Sequence, residues 1–300
     1  MTAHRKHKYV DPVLLSKLKN MSLVARCAVE GFFAGMHPSP FHGFSVEYSD
    51  HRAYQAGDDP KYLDWKMYGR SRKLYIKQFL QETNLTAYIM LDSSRSMSFT
   101  SGDSVTKLEY GSYLAAALAY LMLMQNDCVA LGVFAEDIHT WIPGRSRRTH
   151  LSVLLKTLQD NQPHGRTCLA DVLHSLAERT RRRGIVILIS DLLDDVDDVK
   201  RGLAHLKYLK HDVILFHIMD RQELELDYDG LVQFEDLESR RVVRVFPKSI
   251  QATFRRNVGQ FMEQVRTNAH RNDIDYHLMN TSESLDRAFM AYLAKRKVMG

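Results

Sequence analysis

The run Leu85-Thr86-Ala87-Tyr88-Ile89-Met90-Leu91, followed by Asp92-Ser93-Ser94-Arg95-Ser96-Met97, decides how this chain is read. Residues 85–91 are mostly apolar, with Thr86, Tyr88 and Ile89 β-branched or aromatic, and read as a buried strand. The apolar stretch over residues 105–124 predicts a helix. Between them Asp92, Ser94 and Ser96 set a carboxylate and two hydroxyls at alternate positions of a strand-to-helix turn. An open α/β sheet binds ligands at the carboxyl ends of its strands, and hard oxygens there suit Mg²⁺ or another small oxygen-preferring cation. The pentapeptide alone has a second account, a polar turn in which Asp92 or a serine caps the helix.

Two later segments bear on that choice. Gly165-Arg166-Thr167-Cys168-Leu169 opens a helical stretch over residues 169–183 and puts the Thr167 hydroxyl at a helix start, where a threonine is commonly just an N-cap. Gly184-Ile185-Val186-Ile187-Leu188-Ile189-Ser190 is a strongly apolar strand that ends at Asp191. Asp92 and Asp191 therefore both follow predicted parallel strands, with Thr167 on a loop between them. All three face one rim of one sheet, an arrangement less expected by chance than any one of its parts.

With those residues in place, the chain resembles the von Willebrand factor type A domain and its metal-ion-dependent adhesion site. The resemblance implies that Ser94, Ser96 and Thr167 are hydroxyl ligands or near-ligands. It also implies that Asp92 and Asp191 bind the ion directly or through water, and that an acidic residue of a partner protein fills the last coordination position. Upstream blocks narrow it: Arg52-Ala53-Tyr54-Gln55-Ala56-Gly57-Asp58-Asp59, Leu63-Asp64-Trp65, a strand ending at Glu82, and Leu91 to Met97 occur in order. They resemble the bacterial domain-of-unknown-function family 58, from about Phe41 to Leu193. That family commonly accompanies MoxR-type AAA+ ATPases, so the resemblance implies such an ATPase or its client as partner.

Composition fits. Three hundred residues with 45% hydrophobic content can bury a sizeable core. No stretch reaches the roughly 18 consecutive apolar residues of a membrane span, and the basic amino terminus lacks the apolar core of a secretory signal. Cys27, Cys128 and Cys168 are widely spaced in apolar surroundings, which predicts reduced thiols in the cytoplasm rather than disulfides or zinc. The net charge is +5, but arginines cluster, as at Arg145-Ser146-Arg147-Arg148, residues 179–183, Arg240-Arg241 and Arg255-Arg256. Such runs are either nucleic-acid contacts or solvated helix ends, and no nucleic-acid motif accompanies them.

From residue 85 onward the elements alternate, with strands expected near 85–91, 128–134, 137–142, 184–190, 212–219 and 274–279. The second and third are close enough for a hairpin, giving one antiparallel edge. The rest is the pattern of a doubly wound, mostly parallel α/β sheet, Rossmann-like in layering. A long helix over residues 247–272 carries Phe254, Val258, Phe261, Met262 and Val265 at core spacing. The expected organisation is a von Willebrand A-like domain over residues 84–300. Residues 1–83 form an extension packed on it: helices in the first 40 residues, a hairpin over 44–54, a helix over 62–68 and a strand over 73–82. Gly57-Asp58-Asp59-Pro60 reads as a turn, or as a second polar site beside Arg52 and Tyr54.

Three functional classes follow. The leading one is a non-catalytic, metal-dependent protein-interaction module with Mg²⁺, or Mn²⁺ or Ca²⁺, held by Asp92, Ser94, Ser96, Thr167 and Asp191. The second is a metal-dependent hydrolase built on Asp92 and Asp191. Against it, the sequence shows no Cys–His or Ser–His nucleophile arrangement, no phosphate-cradling glycine loop and no obvious general base. The third is nucleic-acid binding through the arginine clusters.

Overall fold

The computed structural model describes residues 11–18, 20–35, 51–54, 63, 65–77, 85–102, 104–180, 183–208, 210–237 and 240–299. At its start, Asp11 accepts the Val13 N–H (2.9 Å) to cap helix α1 (Pro12–Ser16), and α2 (Met21–Gly35) follows. Two compact units result, one of residues 1–36 with 85–300 and one of residues 37–84. The extension expected over residues 1–83 is thus divided, its helical start belonging with the larger unit.

In the smaller unit β1 (His51–Ala53) pairs antiparallel with β2 (Tyr75–Lys77), and α3 (Trp65–Ser71) lies between them in sequence. Trp65 and Tyr68 meet edge to face, with ring centroids 6.3 Å apart. The strand expected over 73–82 is represented by β2. Most of the expected 44–54 hairpin and the Gly57-Asp58-Asp59-Pro60 turn lie outside the described residues.

The larger unit is built on β3 (Thr86–Asp92), α4 (Lys107–Met124), β4 (Cys128–Phe134), β5 (Ile138–Arg145), α5 (His150–Asp160), α6 (Leu169–Arg179) and β6 (Ile185–Ser190). It continues through α7 (Val196–Tyr208), β7 (Asp212–Met219), α8 (Arg221–Glu225), β8 (Val232–Glu235), β9 (Val242–Val245), α9 (Pro247–Arg271), β10 (Ile274–Asn280) and α10 (Asp286–Met299). Among the described residues one six-stranded sheet runs β10-β7-β6-β3-β4-β5, parallel throughout except for the edge pair β4–β5. This is the mixed α/β, mainly parallel sheet that the alternation of elements predicts. The separate β8–β9 hairpin carries no sequence-based expectation.

Side chains on β3 alternate between two cores, as the two-residue period of a strand requires. Ala87, Ile89 and Leu91 join the core formed with α2, α4, α5 and α10, whereas Tyr88 and Met90 join Leu173, Val199, Leu203 and Val265 from α6, α7 and α9. Both faces of the sheet are covered, which is why β3 and β6 read as nearly continuous apolar runs. Helix α4 is buried almost all round. Its Gly111 permits the close seating: a Cβ there would lie 2.9 Å from Leu91 Cδ1 and 3.2 Å from Ile189 Cγ2.

A tighter approach occurs at Gly184, just before β6, where a Cβ would fall 2.1 Å from the Thr86 carbonyl oxygen. Backbone cannot yield as a side-chain tip can. Gly184→Ala is therefore expected to lower unfolding stability by at least about 2 kcal/mol. Gly259, inside α9 with nothing within 4 Å of its would-be Cβ, is the control; there Ala should stabilise by roughly 0.5–1 kcal/mol. Urea titration of the two variants checks both, and equal midpoints would show the close approach to be relaxed in solution.

Candidate metal centre

The sheet order reverses between β3 and β6: the chain leaves β3 toward β4 on one side, and later returns to place β6 on the other. A crevice opens at such a switch point, outside the carboxyl ends of the two strands. Asp92 ends β3, and Asp191 directly follows Ser190, which ends β6. Both side chains are fully buried.

Asp92 is surrounded by hydroxyl and amide donors. Its Oδ1 accepts the Ser94 N–H (2.8 Å), and its Oδ2 accepts the hydroxyls of Ser190 (2.6 Å) and Thr167 (3.4 Å). Ser94 Oγ and Ser96 Oγ lie 2.9 Å apart and hydrogen-bond to each other. The loop carrying Thr167 is tied to the turn by His164 N–H to Ser93 O (2.8 Å) and Arg95 N–H to Gly165 O (3.2 Å). Gly165 sits at φ 66°, a left-handed conformation that glycine adopts without strain.

These hydroxyls are not caps. Helix α4 is capped by Thr106, which forms a capping box with Glu109. Helix α6 has Cys168 at its N-cap with no side-chain capping bond, and its Leu169 N–H is taken by Asp194 Oδ2 (2.9 Å). The short 3₁₀ turn Arg95–Ser98 has Ser94 at its N-cap, again without a side-chain capping bond. Ser94, Ser96 and Thr167 thus gather around Asp92 without their hydroxyls capping α4, α6 or the 3₁₀ turn. Among the described residues no three His, Cys, Asp or Glu side chains converge as a metal cluster, so an ion here would depend on hydroxyl oxygens. An all-oxygen set with few carboxylates fits a hard divalent cation that retains several waters.

Asp191 is engaged differently. Its Oδ2 accepts from Lys107 Nζ (2.7 Å), its Oδ1 accepts the Leu193 N–H (3.3 Å), and the same ammonium reaches Glu223 Oε1 (2.6 Å). Lys107 is the first residue of α4 and its side chain is wholly buried. A lysine opening a helix reads from sequence as a solvated charge, so nothing in the sequence distinguished it. Burial disfavours the ammonium, yet Asp191 and Glu223 together hold its pKa above the ordinary value. Ser190 and Glu223 are likewise additions that the structure alone supplies.

Two buried groups titrate unusually. Burial, with the nearby Asp191 charge, raises Asp92 to about 7 against the bonds from Ser190 and Ser94. His217 on β7 is also fully buried; its Nε2–H donates to Asp191 O (2.9 Å) and its Nδ1 accepts from Tyr276 OH (2.8 Å). Burial lowers its pKa to about 4. A serine–histidine contact is present too, between Ser93 Oγ and His139 Nε2 (3.0 Å). The buried Ser93 hydroxyl also donates to Phe134 O (2.9 Å), and with its proton so placed His139 is the donor to Ser93. That polarity is opposite to what a general base needs.

Several arginines of the clusters are engaged one by one. Arg179 lies over the Trp141 ring, Arg183 pairs with Asp212, Arg240 pairs with Glu235, and Arg255 donates to Glu225 O (2.8 Å). Arg296 is bound to the buried Asp127. Arg181 and Arg182 lie outside the described residues.

The sheet and the D-x-S-x-S turn at its switch point are similar to those of a von Willebrand A-like domain. The chain belongs to the family described as Protein of unknown function DUF58, which it matches over residues 50–270, well past Leu193 where the upstream motif blocks run out. Relatives include Uncharacterized protein Rv1480 of Mycobacterium tuberculosis (strain ATCC 25618 / H37Rv) and Uncharacterized protein Mb1516 of Mycobacterium bovis. Each is 28% identical over 241 residues, 79% of this chain and 74% of the relative. Among solved structures, the chain is similar to BatB, a conserved hypothetical protein from Bacteroides thetaiotaomicron (17% identity, 70% of this chain and 98% of that one, TM-score 0.49). It is also similar to the SpRpn10 VWA domain (13% identity, 69% and 93%, TM-score 0.39) and to the vWF domain of the pili tip protein Mfa5 from Porphyromonas gingivalis (14% identity, 71% and 95%, TM-score 0.38). No helix among the described residues is long and apolar enough to cross a membrane.

The His217 shift sets an acid limit on stability. Its folded pKa of about 4 lies below the unfolded value of about 6.5, so the unfolded chain binds the extra proton first. The contribution of neutral His217 is complete above pH 6.5 and is lost as the pH falls toward 4. Asp92 acts in the opposite sense, because its folded pKa is raised. Comparing wild type with His217→Gln by denaturant titration in EDTA isolates the histidine: the variant should lose less stability between pH 6.5 and 4. Parallel pH profiles for the two proteins would disprove the assignment.

Proposed function

We propose that this chain is a non-catalytic, metal-dependent protein-interaction module. A hard divalent ion, Mg²⁺ or alternatively Mn²⁺ or Ca²⁺, would be held by Asp92, Ser94, Ser96, Thr167 and Asp191. The observation that carries this reading is the convergence of Ser94, Ser96 and Thr167 on Asp92 with no helix to cap. Bound there, the ion would supply an electrophilic centre for an incoming carboxylate. Three neutral hydroxyls withdraw little of its charge, so its attraction for an anion is largely kept. The partner contributes an Asp or Glu side chain, and the family resemblance favours a MoxR-type AAA+ ATPase or its client. Residence in the cytoplasm belongs to this reading, in keeping with three cysteines that form no disulfide. The orientation of Ser93 toward Phe134 supports a binding role over a hydrolytic one.

Calorimetry should detect Mg²⁺ or Mn²⁺ binding that Asp92→Ala abolishes while cooperative unfolding persists. Binding retained in both Asp92→Ala and Asp191→Ala would put the ion elsewhere.

A complex with the cognate ATPase should dissociate in EDTA and re-form with Mg²⁺. Ser96→Ala and Thr167→Ala should weaken it at least tenfold, about 1.4 kcal/mol, and leave stability within about 1 kcal/mol, since each removes a small rim group. A complex that holds equally well in EDTA excludes an ion-mediated contact.

A further inference from the structure

We infer that Lys107 is the built-in counter-cation of this centre, fixing both how tightly a divalent ion binds and whether the loaded rim accepts an acidic partner. The inference rests on the metal-centre reading above and concerns residues outside the expected ligand set. Lys107 stands at the first position of α4, where the helix dipole disfavours a cation. It is nevertheless completely buried, with its ammonium 2.7 Å from Asp191 Oδ2 and 2.6 Å from Glu223 Oε1. The Phe99 ring lies 5.8 Å from the same nitrogen. A packing role alone is poorly served by a buried ion pair, since apolar side chains of similar volume do as well or better.

Its position gives it a specific consequence. Both oxygens of Asp191 are in use, Oδ2 by Lys107 and Oδ1 by the Leu193 N–H. An incoming ion must therefore share Asp191 with the ammonium or reach it through water. Charge counting leads to the same place. With Asp92 ionised, the three carboxylates Asp92, Asp191 and Glu223, set against one ammonium, leave two negative charges, which one divalent ion neutralises. Without Lys107 a third negative charge remains, so the loaded rim stays anionic and repels a carboxylate. Lys107 thus weakens binding of the ion alone and strengthens the ternary contact with an acid. Glu223 acts in reverse, by neutralising Lys107. It also accepts the Asp220 N–H through Oε2 (2.9 Å), which ties the ammonium to the capping box of α8.

The test uses the full chain, Mn²⁺ as the ion and acetate as the carboxylate, with calorimetric affinity as the readout and thermal unfolding to check folding. Lys107→Gln keeps hydrogen-bonding capacity and loses the charge; Mn²⁺ should bind on the order of tenfold tighter, and the gain in Mn²⁺ affinity from acetate should shrink. Glu223→Gln, whose side chain reaches the surface, should shift Mn²⁺ affinity about tenfold the other way. Opposite signs from two halves of one ion pair are not expected of a merely structural contact, which both variants would damage alike. If Lys107→Gln does not fold, the Glu223→Gln result decides: unchanged or tighter Mn²⁺ binding overturns the inference. Unaltered Mn²⁺ affinity in both variants, with Asp92→Ala still abolishing binding, overturns it while the metal centre stands. Binding to Lys107→Gln but not to wild type would support the inference in its strongest form and overturn metal dependence of the native chain. No binding to any of these proteins overturns both readings.

Discussion

Two carboxylates, Asp92 and Asp191, are buried without exposure at the ends of adjacent parallel strands, and the rest of the rim is organised to tolerate them. Desolvation and mutual repulsion both oppose two such charges in one crevice. Each is answered separately. Asp92 is surrounded by neutral donors, the hydroxyls of Ser190 and Thr167 and the Ser94 N–H, which solvate it without cancelling its charge. Asp191 is given an ammonium. Asp92 is thus held by neutral groups alone, and Asp191 by a charged one. Removing one member of a buried pair leaves an uncompensated charge, at a cost of about 3–5 kcal/mol, so Lys107 links the chemistry of the rim to the stability of the fold.

That link depends on how α4 sits. The helix is enclosed by α2, α5 and α10 and lies against β3 and β6, with Gly111 over Leu91 and Ile189. Its axis therefore delivers its first residue to the carboxyl ends of those strands. The capping box of Thr106 and Glu109 fixes where the helix begins, and hence where the lysine stem starts. A shift of one residue in that cap would turn Lys107 off the rim by about 100°.

Beyond the rim, the chain adds parts that the sheet does not need. The β8–β9 hairpin stands between α8 and α9, with Leu231, Val242, Val243 and Phe246 exposed. Residues 37–84 make a compact unit of their own. Several arginines that could be read as one basic surface are spent locally: Arg183 on Asp212, Arg240 on Glu235 and Arg296 on Asp127. Each of these three charges is answered by a carboxylate of its own.

The sequence by itself determined the six strands of the main sheet, their alternation with helices, and the two acids that follow β3 and β6. Strands buried on both faces are continuously apolar, a hairpin needs only a short turn, and ligands in an open sheet gather at strand carboxyl ends; all three rules act over a few residues. It left Thr167 and the serines balanced between capping and binding, because local spacing permits both. Only the tertiary structure decided that Thr106 and Asp194 take the capping duties, and that Ser190, Lys107, Glu223 and His217 belong to the rim. Lys107 is 84 residues from Asp191 and 116 from Glu223. Whether a lysine is a solvated helix end or a buried counter-ion depends on what the fold packs against it, and no pattern local to the lysine carries that information.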